Sequence, residues 1–423
     1  VEDVELLIGL HRHLGAYATN ATTSSLGEIQ FAGKLYDLAF RIRGSGVSSL
    51  VRIEAIASDA GINAYEAKSS LLVALEALGW VRLSKDTNGV TYAVEEAVPP
   101  VSEILASTQK VLAMVSLSGL GRASLAILRA TTLLPLERNA ALQSAAEFGD
   151  EVAEAALRAL EAINLVREVG ADDGRTVVFN PNVWKNAAEV AIAALRVEDS
   201  RIQTEVGSLI EEVQASQGLP EDKVLSTEQR WIDFGVSQGL IQRSVVATSN
   251  GDERRFLFTP HLQNDAFGNV PNDSSGHVRQ LVGSMVYAAT YPAYKLTEPD
   301  AFIRSLLTNG RAGNASPIGT DYPMLETAGI VRVVPGRGEG RYAFELLQAD
   351  VAEASLKILE NRPSAGRSPA DNTARSISAQ QRYRHLESER ARLVMVPSTN
   401  DKDIKRLVAA VRQAATSRRA SDA

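Results

Sequence analysis

The chain has 423 residues, a formal net charge of −7, 45% hydrophobic residues and no cysteine. That length accommodates about two to four domains with packed cores. The missing cysteine excludes disulfides, thiolate metal sites and thiol catalysis together, and fits a reducing, cytoplasmic setting. Aromatic residues are only 5% of the chain, so Leu, Ile, Val and Ala must fill the core. Arginine (34) far outnumbers lysine (10), and alanine is abundant, a composition expected of a GC-rich bacterial genome.

The opening VEDVELLIGLHRHLG is acidic and lacks a basic region ahead of a long apolar one, so no secretory leader is expected there. Residues 4–43 contain two amphipathic helical stretches, around Leu6–Leu14 and Ile29–Ile42. In IEAIASDAG, Ile53, Ile56, Ala57 and Ala60 share a helical face, and Gly61 stops it. Asn63 is placed to cap a second helix with Leu71, Leu72, Leu75 and Leu78 on its inner face, ended by Gly79. WVRLS then reads as a strand, KDTNG as a turn and VTYAVE as a second strand.

The same phrase recurs. LEALGWVRL at 75–83, LEAINLVRE at 160–168 and LETAGIVRV at 325–333 each place a helix end, a Gly or Asn, and the start of a strand in one order. A fourth version, FGVSQGLIQRSVVATSNGDERRFLF, lacks Leu-Glu but keeps Gly239, an Asn-Gly turn and a closing strand. Trp80, Leu165, Ile241 and Ile330 are read as corresponding positions. In each copy the Gly or Asn is expected to take a left-handed helix end, with the following apolar residue in the core. Hairpins are expected at about 81–94, 166–179, 241–258 and 331–345. The spacing suits whole small domains rather than the short units of a solenoid.

Helix, turn, helix and β-hairpin in this order resemble the tandem winged helix-turn-helix proteins over most of residues 30–350. That resemblance implies mainly helical α+β architecture: about four winged-helix modules joined by long helices, with a basic helical tail. The expected segments are N-terminal helices and a first module at 1–98, a second module at 99–183, a linking helix and third module at 184–262, and a fourth module at 263–360. Long connecting helices are read at 101–118 and 182–217. A Pro/Ser/Gly-rich linker at 359–376 leads to helix candidates at 377–396 and 401–416, within a flexible, basic segment 361–423.

Catalytic signatures are absent from the sequence. PGRGEGR at 335–341 lies between two strands, whereas a phosphate-binding loop joins a strand to a helix. GLGRAS at 119–124 lacks a P-loop ending. The five histidines are scattered and read as solvated surface residues; no metal, cofactor or enzymatic role is expected. No run of about 18 apolar residues exists, so no membrane partner is expected.

Charge is uneven. Residues 362–423 carry 13 Lys or Arg and 6 Asp or Glu, leaving residues 1–361 at −14. Such a body does not coat DNA; DNA contact is expected to be local. The fourth module is its best carrier, with Arg311 in the helix-turn-helix, Arg332 on the first hairpin strand, and Arg337 and Arg341 flanking a glycine-rich wing. Lys68 and Lys85 in the first module and Arg254 and Arg255 in the third are further candidates. The second module, with Asp150, Glu151 and Glu154 at its helix start, is read as non-reading. In the tail, Ile404, Leu407, Val408 and Val411 form one stripe expected to dock on protein or aid self-association. The reading is a non-enzymatic bacterial DNA-binding regulator, transcriptional or otherwise. The alternative is a winged-helix scaffold subunit of a defence or chromosome-segregation complex.

Overall fold

In a computed structural model of the protein, the described residues are 3–18, 20–133, 135–170, 176–180, 200–248, 253–259, 273, 275–292, 295–362 and 381–394. They form a mixed helical protein with four small antiparallel sheets. No helix among them is long and apolar enough to cross a membrane.

The chain writes one unit four times. In the first, helix Gly27–Ile42 leads to β1 (Val47–Ser49) and helix Leu50–Asp59. A helical run, Ala64–Glu66, Ala67–Leu71 and Leu72–Leu78, then leads to the hairpin of β2 (Val81–Lys85) and β3 (Thr91–Glu96). The second unit has helices Gly119–Leu133, Arg138–Gln143 and Asp150–Ala162 with β4 (Leu136–Glu137), β5 (Arg167–Gly170) and β6 (Thr176–Phe179). The third has helices Ser200–Ala215 and Gln229–Ser237, a short 3-10 turn at Glu221–Lys223, and β7 (Leu219–Pro220), β8 (Gln242–Thr248) and β9 (Glu253–Phe258). The fourth has helices Pro299–Asn309, Ser316–Thr320 and Pro323–Thr327 with β10 (Arg311–Ala315), β11 (Val331–Pro335) and β12 (Tyr342–Leu346). Each sheet sets the last strand between the first and the second, giving β1-β3-β2, β4-β6-β5, β7-β9-β8 and β10-β12-β11. The four expected hairpins are therefore present.

The recurring phrase is a backbone lock. Gly79, Asn164, Gly239 and Gly329 all have positive φ, from 54° to 75° in the middle two and 78° and 69° in the outer two. In each unit the next residue's N–H reaches back five positions: Trp80 to Leu75 O, Leu165 to Leu160 O, Leu240 to Gly235 O and Ile330 to Leu325 O. This is the hydrogen bond of a left-handed helix cap. It identifies Leu240, rather than Ile241, as the third unit's equivalent residue. All four side chains after the cap are buried.

Other expectations shift. The connection at 101–118 is two helices, Val101–Ala106 and Thr108–Val115, rather than one. The Ser107 hydroxyl donates back to Ile104 O at the break. Beyond helix Ala349–Glu360, the chain supplies β13 (Gln381–Arg384), which pairs with β8, and helix Leu386–Val394. A strand was not expected there. The tail stripe Ile404, Leu407, Val408 and Val411, most of the linker and residues 181–199 lie outside the described residues.

The units share cores. One core runs through the N-terminal helix Asp3–Leu14 and the first two units. In β6, Val178 joins that core, while Val177 and Phe179 join the third unit's core. Val246, Phe256 and Phe258 of the third unit pack into the core of the fourth.

Where they meet, the interior is ionic. Helices Asp3–Leu14 and Gly27–Ile42 cross so closely that a Cβ on Gly33 would lie 2.1 Å from Leu7 O. That approach seats Asp37 between two arginines. Arg12 donates to both its oxygens, through Nε at 2.9 Å and Nη2 at 3.2 Å, and Arg41 Nε donates at 2.9 Å. All three side chains are buried. Burial alone would raise the Asp37 carboxyl, but Arg12 and Arg41 hold it well below the usual carboxylate range. The arginines reach outward from it. Arg12 Nη2 donates to Ser275 O at 2.7 Å. Arg41 donates to Asp59 Oδ2 at 2.8 Å, Thr327 O at 3.4 Å and His385 Nε2 at 3.3 Å. Gln348 Nε2 donates to Phe40 O and Gly329 O, at 2.9 and 3.0 Å. Gly329 is doubly constrained: beyond its φ of +69°, a Cβ there would lie 1.7 Å from Arg41 O.

Four histidines are drawn into this interior, which overturns their reading as surface residues: His11, His13, His277 and His385 are all buried. The N-terminal and C-terminal segments fold onto one another, which local sequence does not reveal. Burial lowers His11 and His13 to about 4 and His277 to about 3, and holds His385 well below 6.5; Arg41 and Arg12 depress the last two further.

An unfolded chain binds protons on these groups near pH 6.5, whereas the folded chain does not until about pH 4 or below. Their contribution to stability is therefore complete above pH 6.5 and is lost as pH falls towards 4. The slope is up to roughly 1.4 kcal/mol per pH unit for each histidine. Urea unfolding at pH 7 and pH 5 is expected to show a much lower midpoint at pH 5; equal midpoints would contradict this.

Candidate nucleic-acid interface

The hairpin of the fourth unit turns through GRGEGR, residues 336–341, between β11 and β12. Gly336 N–H bonds Arg341 O at 2.7 Å and closes the loop. Across from it, β10 carries a bulge between Ala312 and Ala315, where two residues lose their register with β12. A bulge re-aims side chains at a sheet edge. Here it brings Asn314 to the hairpin: its Oδ1 accepts the Arg337 N–H at 2.8 Å, and its carbonyl accepts Arg341 Nη1 at 3.0 Å. Gly336 makes room for this, since a Cβ would lie 2.5 Å from Asn314 Oδ1. Arg311 Nη2 donates to Pro335 O at 3.0 Å on the same hairpin.

Three arginines thus gather at one exposed place, Arg337 and Arg341 on the hairpin and Arg311 on the adjoining β10. Arg311, Arg337 and Arg341 are all exposed. The bonds that place Arg311 and Arg341 end on backbone carbonyls, which orient the groups without neutralising them. Among the described residues no carboxylate lies within 4.0 Å of any of the three guanidinium groups. Arg311 belongs to β10 and not, as the pattern suggests, to a helix-turn-helix.

The other candidates have internal tasks. Arg332 donates to Glu345 Oε2 at 3.1 Å and to Ser45 O at 2.8 Å, tying the fourth unit to the first. Arg254 stacks 4.6 Å over the Tyr291 ring and lies 3.8 Å from Asp222. Arg255 lies 3.2 Å from Glu221. Lys85 lies 4.0 Å from Glu76 on the helix that precedes the first hairpin. Lys68 is exposed on the helical run of the first unit, remote in sequence from the arginine hairpin.

The helices preceding the hairpins differ in access. In the fourth unit, helix Pro323–Thr327 buries Met324 and Leu325, and Gln280 Nε2 donates to Met324 O at 2.9 Å. In the third, Trp231, Ile232, Phe234 and Val236 are buried. In the second, Glu154 and Glu168 both engage Arg138, at 2.7 and 2.8 Å, and burial with the neighbouring Glu168 pushes Glu161 up to about 7. The first unit's helical run presents Tyr65, Lys68, Ser69 and Val73 to solvent. Among the described residues, no group of three or more His, Asp or Glu side chains is arranged to hold a metal ion.

Asn314 was not legible as a site residue; nothing in RAGNASP marks it except its place three residues before a proline. Replacing it, Asn314→Ala, removes the acceptor for the Arg337 amide. Hydrogen exchange at Arg337 is expected to speed up, while unfolding free energy changes by only about 1 kcal/mol. Unchanged exchange would show that Asn314 does not hold the hairpin. A scan against protein-family models finds no match to this chain, and neither does a search of curated proteins.

Proposed function

We propose that the four units are winged-helix modules and that the protein is a non-enzymatic, DNA-binding regulator that contacts DNA through the fourth wing. The first half of this reading is supported by the element order: helix, edge strand, two helical segments (in the third unit a 3-10 turn and one helix) and a hairpin, with the last strand between the first and second in each sheet. The second half is carried by one observation. Arg311 on β10 and Arg337 and Arg341 on the adjoining hairpin are exposed, and among the described residues no carboxylate lies within 4.0 Å of their guanidinium groups, although Glu339 stands in the same loop.

A wing of this kind suits phosphate contact and a narrow minor groove, where arginine is favoured by the enhanced negative potential. The helix beside it is short and buried, so the contact is wing-led and reads shape more than base edges. Net charge of −14 over residues 1–361 keeps binding local. The task that fits is transcriptional or other DNA-directed regulation at defined places.

The test is a salt titration of duplex binding by the full chain and by the Arg337→Ala/Arg341→Ala variant. The variant is expected to bind more weakly, with the log–log slope shallower by roughly one unit per lost phosphate contact. Equal affinity and slope would remove this wing from the interface.

A further inference from the structure

Arg311 and Arg341 are pinned from opposite directions. Arg311 leaves β10 opposite Glu345, yet its Nη2 ends at Pro335 O on β11, and Pro335 stands opposite Tyr342. Its side chain therefore runs towards the loop, from one outer strand of the sheet to the other. Arg341, just ahead of β12, turns the other way: its Nη1 ends at Asn314 O on β10. The two guanidinium groups thus stand at carbonyls of the two outer strands, which lie about 10 Å apart in a three-stranded sheet. A carbonyl fixes the direction of a guanidinium and leaves its other N–H groups for an external acceptor.

Arg337 is held differently. Its backbone N–H is bonded to Asn314 Oδ1, but no hydrogen bond or ion pair ends on its guanidinium among the described residues. The loop around it is slender. Gly336, Gly338 and Gly340 alternate with Arg337, Glu339 and Arg341. Gly338 and Gly340 have φ of +103° and +66°, and no atom lies within 4 Å of where a Cβ on either would stand. The loop therefore projects into open space with a side chain at every second residue. Glu339 is exposed there too, so two arginines and one glutamate leave residues 336–341 at a net +1. So small a charge draws polyanions weakly from a distance, and discrimination falls to close contact.

Two pinned cations flanking a free one match a groove with a phosphate wall on either side. The major groove of duplex DNA, about 12 Å wide, admits a helix; the minor groove, about 6 Å wide, admits only a slender element. We propose that Arg337 enters the minor groove while Arg311 and Arg341 hold the two phosphate backbones beside it, which makes duplex DNA with an A-tract the preferred partner. This rests on the DNA-binding reading above. An A-tract has a stiff, narrow minor groove whose enhanced negative potential favours an inserted guanidinium. Arg337 thus sets specificity, and the pinned pair sets affinity.

Two duplexes of equal length and base composition test this, one centred on AAATTT and one on TATATA. Both present only A·T acceptors in the minor groove and differ in its width and stiffness. Fluorescence anisotropy with the full chain is expected to show binding to AAATTT tighter by roughly fivefold or more. Arg337→Ala and Arg337→Lys are each expected to bring the two duplexes within about twofold of one another. Arg311→Ala/Arg341→Ala is expected to weaken both alike, with a log–log salt slope shallower by roughly two units, and to keep the preference. Glu339→Gln is expected to tighten both equally. Equal binding of the two duplexes by the wild type would overturn this proposal and leave DNA binding standing, whereas binding to neither would overturn both. A preference that survives Arg337→Ala would likewise overturn it, by removing Arg337 from the groove.

Discussion

The structure depends on one buried carboxylate. Asp37 bridges Arg12 and Arg41 at the crossing of helices Asp3–Leu14 and Gly27–Ile42, and it is almost wholly excluded from solvent. Burying such charges is expensive, and an ion pair in an interior is weak evidence of net stability. What it supplies here is position. Other donors of the two arginines end on Asp59, within the first unit, and on Ser275, Thr327 and His385, which lie 263, 286 and 344 residues from the arginine each one meets. Hydrophobic packing is tolerant of small rotations, whereas hydrogen bonds to fixed carbonyls are not. The ionic centre therefore sets how the first and fourth units and the C-terminal segment meet.

This centre shapes the charge left outside. Arginines near it, and Arg332 with Glu345 and Ser45, are consumed in holding segments together. Arg243, also buried, engages Glu221 at 2.5 Å and Asp233 at 2.6 Å within the third unit. The loop end of the fourth hairpin stands apart: Arg341, and Arg311 on the adjoining β10, meet backbone oxygens, and their charge faces solvent. The first unit instead leaves Val47, Val51, Tyr65, Val73, Val90 and Tyr92 exposed. Two units built on the same plan thus present different chemistry, because the repeat preserves the helix cap and the core while leaving the exposed positions free to diverge.

Much of this plan was legible in the chain. The helix-capping phrase at Gly79, Asn164 and Gly329 is local, and its geometry follows from a left-handed backbone that glycine and asparagine tolerate. Hairpins follow it because alternation and turn residues are local as well. The buried histidines, β13 and the ionic centre were not legible. His11 and His385 sit in polar, arginine-containing neighbourhoods that read as surface, and only the packing of chain ends together buries them. At the candidate interface the hairpin arginines Arg337 and Arg341 were visible from the glycines around them. Asn314 was not, since it acts through a bulge in a strand whose partner is about 30 residues away. Arg332 was visible as a cation, but its engagement with Ser45 arises from the packing of two distant units.

The claim on which the rest stands is that Asp37 couples segments from different units. Native-state hydrogen exchange on Asp37→Asn measures this directly, because the substitution keeps the shape and removes the charge; breaking a buried pair of this kind costs about 3–5 kcal/mol. The amides of Gln280, Gly329, Ile330 and Glu389 all bond within their own local turns or helices, far from residue 37 in sequence. The account predicts that all four lose protection together with helices Asp3–Leu14 and Gly27–Ile42. Loss confined to those two helices, with the four distant amides as protected as in the wild type, would contradict it.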